Sequence, residues 1–200
     1  MVPPSARERF DAARLINIAN GLTAARVLLV PYFAYLLISD REKAALLVFA
    51  ICGATDALDG LLARWLRQRT LVGAILDPIA DKMLMATAFI VLSYVHVAPL
   101  RLAIMVISRD IIILVGSFLY LLLFDASDIR ATGLSKANTA VQILTVIYFL
   151  SVVAFPAEAK ALGAGARSLP DQGVTLICAV TTVASGLQYL YIGIRKLSDA

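Results

Sequence analysis

Four aspartates are the residues of this sequence whose types and spacing most clearly suggest chemistry. Asp56 and Asp59 are three positions apart, and Asp77 and Asp81 are four positions apart. In a helix, each pair would lie on one face. The connection over 65–72 is short, which predicts two antiparallel neighbouring helices whose acidic faces meet at a similar depth.

Facing carboxylates in a poorly solvated place repel each other, and their pKa values rise until some are protonated, unless cations neutralise them. Hard divalent cations bound through oxygen, Mg²⁺ or Mn²⁺, are the simplest partners. The cluster contains no His or Cys, which argues against zinc. Two such ions would suit phosphoryl chemistry, because they can contact both the attacking and the leaving oxygen. The alternative is a set of structural ion pairs with the nearby basic residues Arg64, Arg67, Arg69 and Lys82.

The composition indicates the environment of these helices. Of 200 residues, 60% are hydrophobic and 16% are charged, whereas soluble domains have roughly 45–50% and about 25%. Membrane-spanning helices need about 20 mostly apolar residues. About six segments qualify: 20–39, 44–64, 73–98, 100–124, 139–157 and 173–194. We therefore expect an all-α polytopic membrane protein with about six transmembrane helices, or five or seven if a boundary is misplaced, in a single domain over 1–200.

The basic residues indicate the orientation in the membrane. With the N-terminus inside, most Lys and Arg lie on inner segments, so the positive-inside rule places the N-terminus and the acidic cluster on the cytoplasmic side. The net charge of +4 then reflects topology and attraction to anionic lipids rather than nucleic-acid binding. Residues 1–16 lack the apolar core of a secretory signal. A capping-box pattern that starts at Ser5 predicts a short interfacial helix there, with a frayed tail as the alternative.

The acidic stretch has further fixed positions around it. It reads D-x-x-D-G-x-x-A-R, then eight residues, then G-x-x-x-D-x-x-x-D. This pattern resembles the signature of the CDP-alcohol phosphatidyltransferase family. The resemblance implies metal-dependent transfer of a phosphatidyl group from CDP-diacylglycerol to an alcohol, with release of CMP.

The resemblance also implies roles for individual residues. Ligands of the two divalent cations would be Asp56, Asp59, Asp77 and Asp81. Asp81 would also be the general base, which must lie within hydrogen-bond distance of the acceptor hydroxyl. Gly60, Ala63 and Arg64 match the positions that hold the CDP moiety. Arg64 offers a planar fork for phosphate oxygens.

Basic residues outside this motif are candidates for binding the acceptor. Arg26 lies about one turn inside the first span, where it would contact phosphate or else snorkel to the interface. Arg109 and Asp110 lie too deep in the fourth span for easy snorkelling. Adjacent helical residues diverge, so we expect each to have a partner on another helix and not to pair with the other. Lys136 would contact the same phosphate or mark the cytoplasmic edge.

The surroundings of these residues resemble one branch of the family. Ser-Arg-Asp-Ile in the fourth span and Ser-Lys-Ala-Asn-Thr-Ala-Val-Gln at the fifth are similar to members that join CDP-diacylglycerol to phosphatidylglycerol, giving cardiolipin and CMP. Members that use glycerol 3-phosphate more usually carry Arg-Glu in place of Arg109-Asp110. The expected partners are CDP-diacylglycerol, phosphatidylglycerol or glycerol 3-phosphate, membrane lipids and, from the resemblance, a second copy of the chain.

Two further expectations concern location and class. The chain starts at Met1 without an Arg- and Ser-rich leader, so we expect a bacterial plasma membrane with the active site on its cytoplasmic side. A small ion-coupled transporter is an alternative from another class, because carboxylates within the membrane are common there too. Cys52 and Cys178 are expected to be reduced packing residues, and His96 an interfacial residue at the outer end of the third span.

Overall fold

The computed structural model describes residues 18–66, 71–123, 132–164 and 168–198, with side chains for 25–55, 82–117, 132–164, 168–193 and Arg195. Within these ranges all regular structure is α-helical, which confirms the expected class. The helices are α1 (Ile18–Ile38), α2 (Glu42–Leu66), α3 (Leu71–Tyr94), α4 (Leu100–Leu123), α5 (Gly133–Ala154), α6 (Pro156–Ala161) and α7 (Leu169–Ser198). The predicted interfacial segment 1–16 lies outside the described residues.

Six of these helices have 21 to 30 residues and lie where the six spans were predicted. Two segments, Gly133–Ala154 and Leu169–Gly193, are long and apolar enough to cross a membrane, judged by length and composition over the described residues. The protein is therefore all-helical with two clear candidate spans. Crossing by the other four long helices stays a prediction.

The fifth helix begins at Gly133, six residues before the predicted start at 139. The reason is local: Thr132 caps it, and its Oγ1 accepts a hydrogen bond from the backbone N–H of Ser135 at 3.2 Å. Polar residues of the first turns, such as Asn138, are buried against other helices and do not end the helix. Pro156 opens the short helix α6 from its first turn, where a missing N–H costs nothing, so the predicted fifth span 139–157 ends earlier, at Ala154.

The turn between α3 and α4 is built around His96. Its backbone has φ of 61°, the left-handed conformation common just after a helix. His96 N–H bonds to the carbonyl of Ser93 at 3.1 Å, and Val97 N–H bonds to that of Leu92 at 2.9 Å. These two bonds satisfy the last carbonyls of α3 and turn the chain toward Pro99. The imidazole itself is exposed, in keeping with an interfacial position.

The core joins two groups of helices. In the first group α1 packs against α2 and α3, and Phe33 of α1 meets Phe49 of α2 with ring centroids 5.9 Å apart. In the second group α7 packs against α4 and α5. Contacts of α3 with α4, and of α5 with α2 and α3, connect the groups. Cys52 and Cys178 are buried and free, as predicted.

Candidate active site

The four aspartates lie on continuous helix, Asp56 and Asp59 on α2 and Asp77 and Asp81 on α3. Their spacing therefore places each pair on one helical face, as predicted. Their side chains lie outside the described residues, so the meeting of the two faces stays a prediction. Among the described side chains no group of three or more His, Cys, Asp or Glu could hold a metal ion.

The residues predicted to hold the CDP moiety follow directly on α2. Gly60, Ala63 and Arg64 lie within Glu42–Leu66, and their side chains are also outside the described residues. Gly60 is three positions from Ala63 and four from Arg64, so it neighbours both of them on the surface of α2. Their contact with a nucleotide stays a prediction.

Arg26 is the charged residue of α1 that was predicted to contact phosphate or to snorkel. Its side chain is 2% exposed and is among the largest fully buried side chains. A snorkelling arginine would extend its guanidinium to the interface, so this burial disfavours snorkelling. Since α1 packs against both α2 and α3, Arg26 lies inside the group of helices that carries the acidic motif.

A polar network that includes Lys82 of α3 joins four helices. Lys82 of α3 donates from Nζ to Oδ2 of Asp110 on α4 at 2.8 Å. Arg109 donates from Nη1 to Oδ1 of Asp110 at 2.8 Å. Its Nη2 donates to the hydroxyls of Ser135 on α5, at 2.7 Å, and of Ser185 on α7. The network begins at the residue next to Asp81.

The pairing of Arg109 with Asp110 corrects the sequence prediction. Adjacent helical residues do diverge at Cβ, but the arginine side chain is long enough to curve back to its neighbour's carboxylate. The other part of the prediction is confirmed, because both residues have partners on other helices. Asp110 bonds to Lys82 of α3, and Arg109 bonds to α5 and α7.

The charges of this network do not balance. Lys82 and Arg109 carry two positive charges and share the single carboxylate of Asp110, which leaves a net charge of +1. Arg109 is 5% exposed, and its Nε is buried without a hydrogen-bond partner. A buried charge and a buried N–H each cost free energy unless they are compensated. Among the described side chains, the excess positive charge and the unpartnered N–H together are what an anion-binding site requires.

Helix α7 supports Arg109 in ways that the sequence prediction missed. Thr132 donates from Oγ1 to Oε1 of Gln188 at 3.0 Å, so the capped end of α5 is tied to α7. At Gly186 an added Cβ would lie 3.5 Å from Cγ of Arg109, so the arginine stem passes directly over this glycine. The adjacent Ser185-Gly186 pair, small residues in a helix that packs on others, is the signal that could have indicated this role.

Lys136 has a less defined position. It lies in the first turn of α5 next to Ser135, and its side chain is exposed. Contact with a phosphate and a position at the cytoplasmic edge are both compatible with that exposure.

The polar face of α5 continues deeper than the network. Asn138 accepts from Thr182 of α7 at 3.1 Å through Oδ1, whereas its Nδ2 is buried without a partner. Gln142 is fully buried, and both its Oε1 and its Nε2 lack hydrogen-bond partners. The α5–α7 interface is therefore polar over several turns, and Arg109 lies at one end of it.

The chain is similar in sequence to a known protein family and to several of its members. A family model described as CDP-alcohol phosphatidyltransferase matches residues 16–185, a range that contains the acidic motif and the network up to Ser185. The human protein "Cardiolipin synthase (CMP-forming)" is 34% identical over 193 residues, covering 88% of this chain and 62% of the human protein. The chain thus spans about three-fifths of the length of that relative.

Two bacterial relatives are similar over most of their length. The CDP-diacylglycerol–glycerol-3-phosphate 3-phosphatidyltransferase of Haemophilus influenzae is 34% identical over 188 residues, covering 92% of this chain and 96% of that protein. A probable phosphatidylglycerophosphate synthase of Mycobacterium tuberculosis is 32% identical over 193 residues, covering 94% and 89%. Similarity therefore extends both to a cardiolipin synthase and to a glycerol-3-phosphate phosphatidyltransferase.

Proposed function

The chain belongs to the CDP-alcohol phosphatidyltransferase family, and from that premise we propose that it transfers a phosphatidyl group from CDP-diacylglycerol to phosphatidylglycerol, giving cardiolipin and CMP. The observation that carries the choice of acceptor is the partly buried network around Arg109, whose described side chains have a net charge of +1 and include a buried, unpartnered N–H. Phosphatidylglycerol is a phosphodiester and brings one negative charge. Glycerol 3-phosphate is a phosphomonoester, and such a group carries about 1.5 to 2 negative charges at neutral pH.

The proposed mechanism follows from the acidic motif. Asp81 accepts the proton of the acceptor's free hydroxyl, and that oxygen attacks the phosphorus bonded to diacylglycerol. The bond between this phosphorus and the bridging oxygen breaks, and CMP leaves with that oxygen. Gly60, Ala63 and Arg64 hold the CDP moiety, and the guanidinium of Arg64 contacts phosphate oxygens.

The donor set on α2 and α3 fits divalent cations, because it offers only carboxylate oxygen. Asp56, Asp59, Asp77 and Asp81 would hold two ions of Mg²⁺ or Mn²⁺. When bound, such ions neutralise the charge that develops on the phosphate oxygens.

The acceptor's phosphate is assigned to the basic residues outside the motif. Arg109 is the central contact, since its guanidinium is fixed by three hydrogen bonds and retains an unpartnered N–H. Arg26 and Lys136 are proposed as phosphate contacts outside this network, Arg26 within the helix group that carries the acidic motif and Lys136 from an exposed, solvated position. The network starts at Lys82, which follows Asp81 in sequence, so α3 carries both the proposed base and one end of the network.

Phosphatidylglycerophosphate synthesis is the second candidate. It is favoured by the Haemophilus influenzae relative, which this chain covers over 96% of its length. The transporter alternative loses its basis, because the acidic residues belong to the signature of a transferase family.

An acceptor assay distinguishes the two reactions. The purified chain is given CDP-diacylglycerol and Mg²⁺ or Mn²⁺ with each acceptor in a separate reaction, and the lipid product is identified by mass spectrometry. We expect cardiolipin and CMP with phosphatidylglycerol, and loss of both products with a chelator. Product formed with glycerol 3-phosphate alone would contradict the cardiolipin assignment.

Location and assembly are part of the proposal. We propose a bacterial plasma membrane with the active site on the cytoplasmic side, supported by the distribution of Lys and Arg along the chain. We also propose a homodimer, supported by the family resemblance of the acidic motif.

A further inference from the structure

We propose that Ser185 of α7 is a positioning residue for the acceptor: it holds the guanidinium of Arg109 in the orientation that contacts the acceptor's phosphate. This inference rests on the proposed function. Ser185 lies outside the acidic motif, on the last helix of the described chain, and no role follows for it from the transfer chemistry itself.

The guanidinium of Arg109 is held at both terminal nitrogens. Nη1 donates to Asp110 of its own helix, and Nη2 donates to Ser135 of α5 and Ser185 of α7. A long arginine side chain loses rotamer entropy when it is fixed in one conformation. Contacts that fix it before the ligand arrives remove that cost from binding.

Ser185 is well placed to provide this constraint. Its side chain is 1% exposed, and its hydroxyl accepts from the same nitrogen that Ser135 contacts from the opposite helix. The next residue, Gly186, leaves room for the arginine stem, since an added Cβ would approach Arg109 Cγ to 3.5 Å. The hydroxyl of Ser185 and the backbone at Gly186 therefore form the part of the α7 surface that contacts the Arg109 side chain.

Three of the five N–H groups of the guanidinium have named partners, one on Nη1 and two on Nη2. With Nη1 and Nη2 engaged, the Nε–H of Arg109 is buried and has no partner. A phosphate oxygen is the group of the proposed acceptor that would satisfy it and would also balance the net charge of +1. Loss of the Ser185 hydroxyl would remove one of the two hydrogen bonds at Nη2. The guanidinium would then be less constrained, and its Nε–H would be misaligned with the phosphate.

The expected signature is a selective loss of acceptor affinity. Ser185→Ala removes one hydrogen bond to a charged group and is expected to raise the KM for the acceptor about tenfold, while the KM for CDP-diacylglycerol changes less than about twofold. Ser185→Thr keeps the hydroxyl and is expected to restore the acceptor KM. Ser117→Ala is the matched control, because Ser117 also joins α4 to α7, through Tyr189 at 3.0 Å, without touching Arg109.

A double-variant cycle tests whether Ser185 acts through Arg109. If it does, adding Ser185→Ala to Arg109→Ala changes the acceptor KM no further. Ser185→Cys, which replaces the hydroxyl by a weaker acceptor, takes the place of Ser185→Ala if the alanine variant is not recovered folded. An unchanged acceptor KM, an equal rise in both KM values, or additive effects in the cycle would overturn the inference. The KM is measured with whichever acceptor the wild type turns over. A wrong cardiolipin assignment is therefore detected separately, because it changes the identity of the lipid product and not the effect of Ser185 on the acceptor KM.

Discussion

Asp110 is the residue on which two buried or partly buried cations depend. One carboxylate oxygen accepts from Arg109 and the other from Lys82. The two cations differ in their surroundings, because the side chain of Arg109 is 5% exposed and that of Lys82 is 26% exposed. Water can therefore compensate Lys82 in part, whereas Arg109 has only its protein partners.

This difference predicts an order of stability among variants. Asp110→Asn leaves both cations without their counter-charge and is expected to lower the free energy of unfolding by about 3 kcal/mol or more. Lys82→Met leaves the Arg109–Asp110 pair intact and is expected to cost about 1 kcal/mol or less. Thermal or denaturant unfolding in detergent measures both. A Lys82→Met variant less stable than Asp110→Asn would contradict this account of the network.

At the acidic motif, the prediction concerns Asp81. Asp81→Asn removes the proposed base while keeping the size of the side chain, and CMP release is expected to fall by about 10²–10⁴-fold. His96→Asn is the control, since His96 is exposed in the turn after α3 and its variant should retain the wild-type rate. CMP release that is unchanged in Asp81→Asn would exclude Asp81 as the base.

Among the helices, hydropathy predicted the positions along the sequence. It did not predict which helix faces pack against each other. The long apolar runs correspond to the long helices α1–α5 and α7, as expected for runs of about the length that a membrane-spanning helix needs. The start of α5 was misplaced because Ser135 and Asn138 are polar and look extramembrane in sequence. Hydropathy alone cannot show that such residues contact another helix, and here they contact Arg109 and Thr182.

The α5–α7 interface yields a prediction of its own. Gln142 is buried with both amide atoms unpartnered, and such atoms cost free energy in the folded state. Gln142→Met keeps the length of the side chain, removes these atoms, and is expected to leave thermal stability unchanged or higher. Asn138→Leu is the comparison: it removes the hydrogen bond from Thr182 and is expected to cost about 1 kcal/mol. A Gln142→Met variant that is the less stable of the two would show that Gln142 has a partner in the working protein.

In the whole molecule, α3 connects the two parts of the proposed active site. Its acidic residues belong to the motif that is also on α2, and the following Lys82 begins the network that reaches α4, α5 and α7. The acidic motif could be predicted from sequence because fixed spacing on two neighbouring helices defines it. The Arg109 site could not, because its members are brought together only by packing: Ser135 is 26 positions away and Ser185 is 76 positions away.

A competition reaction between the two acceptors decides which of them the enzyme uses. Phosphatidylglycerol and glycerol 3-phosphate are supplied together at equal concentration with CDP-diacylglycerol and Mg²⁺ or Mn²⁺, and the lipid products are quantified by mass spectrometry. The net charge of +1 around Arg109 predicts that cardiolipin is the main product. Phosphatidylglycerophosphate as the main product would contradict the claim.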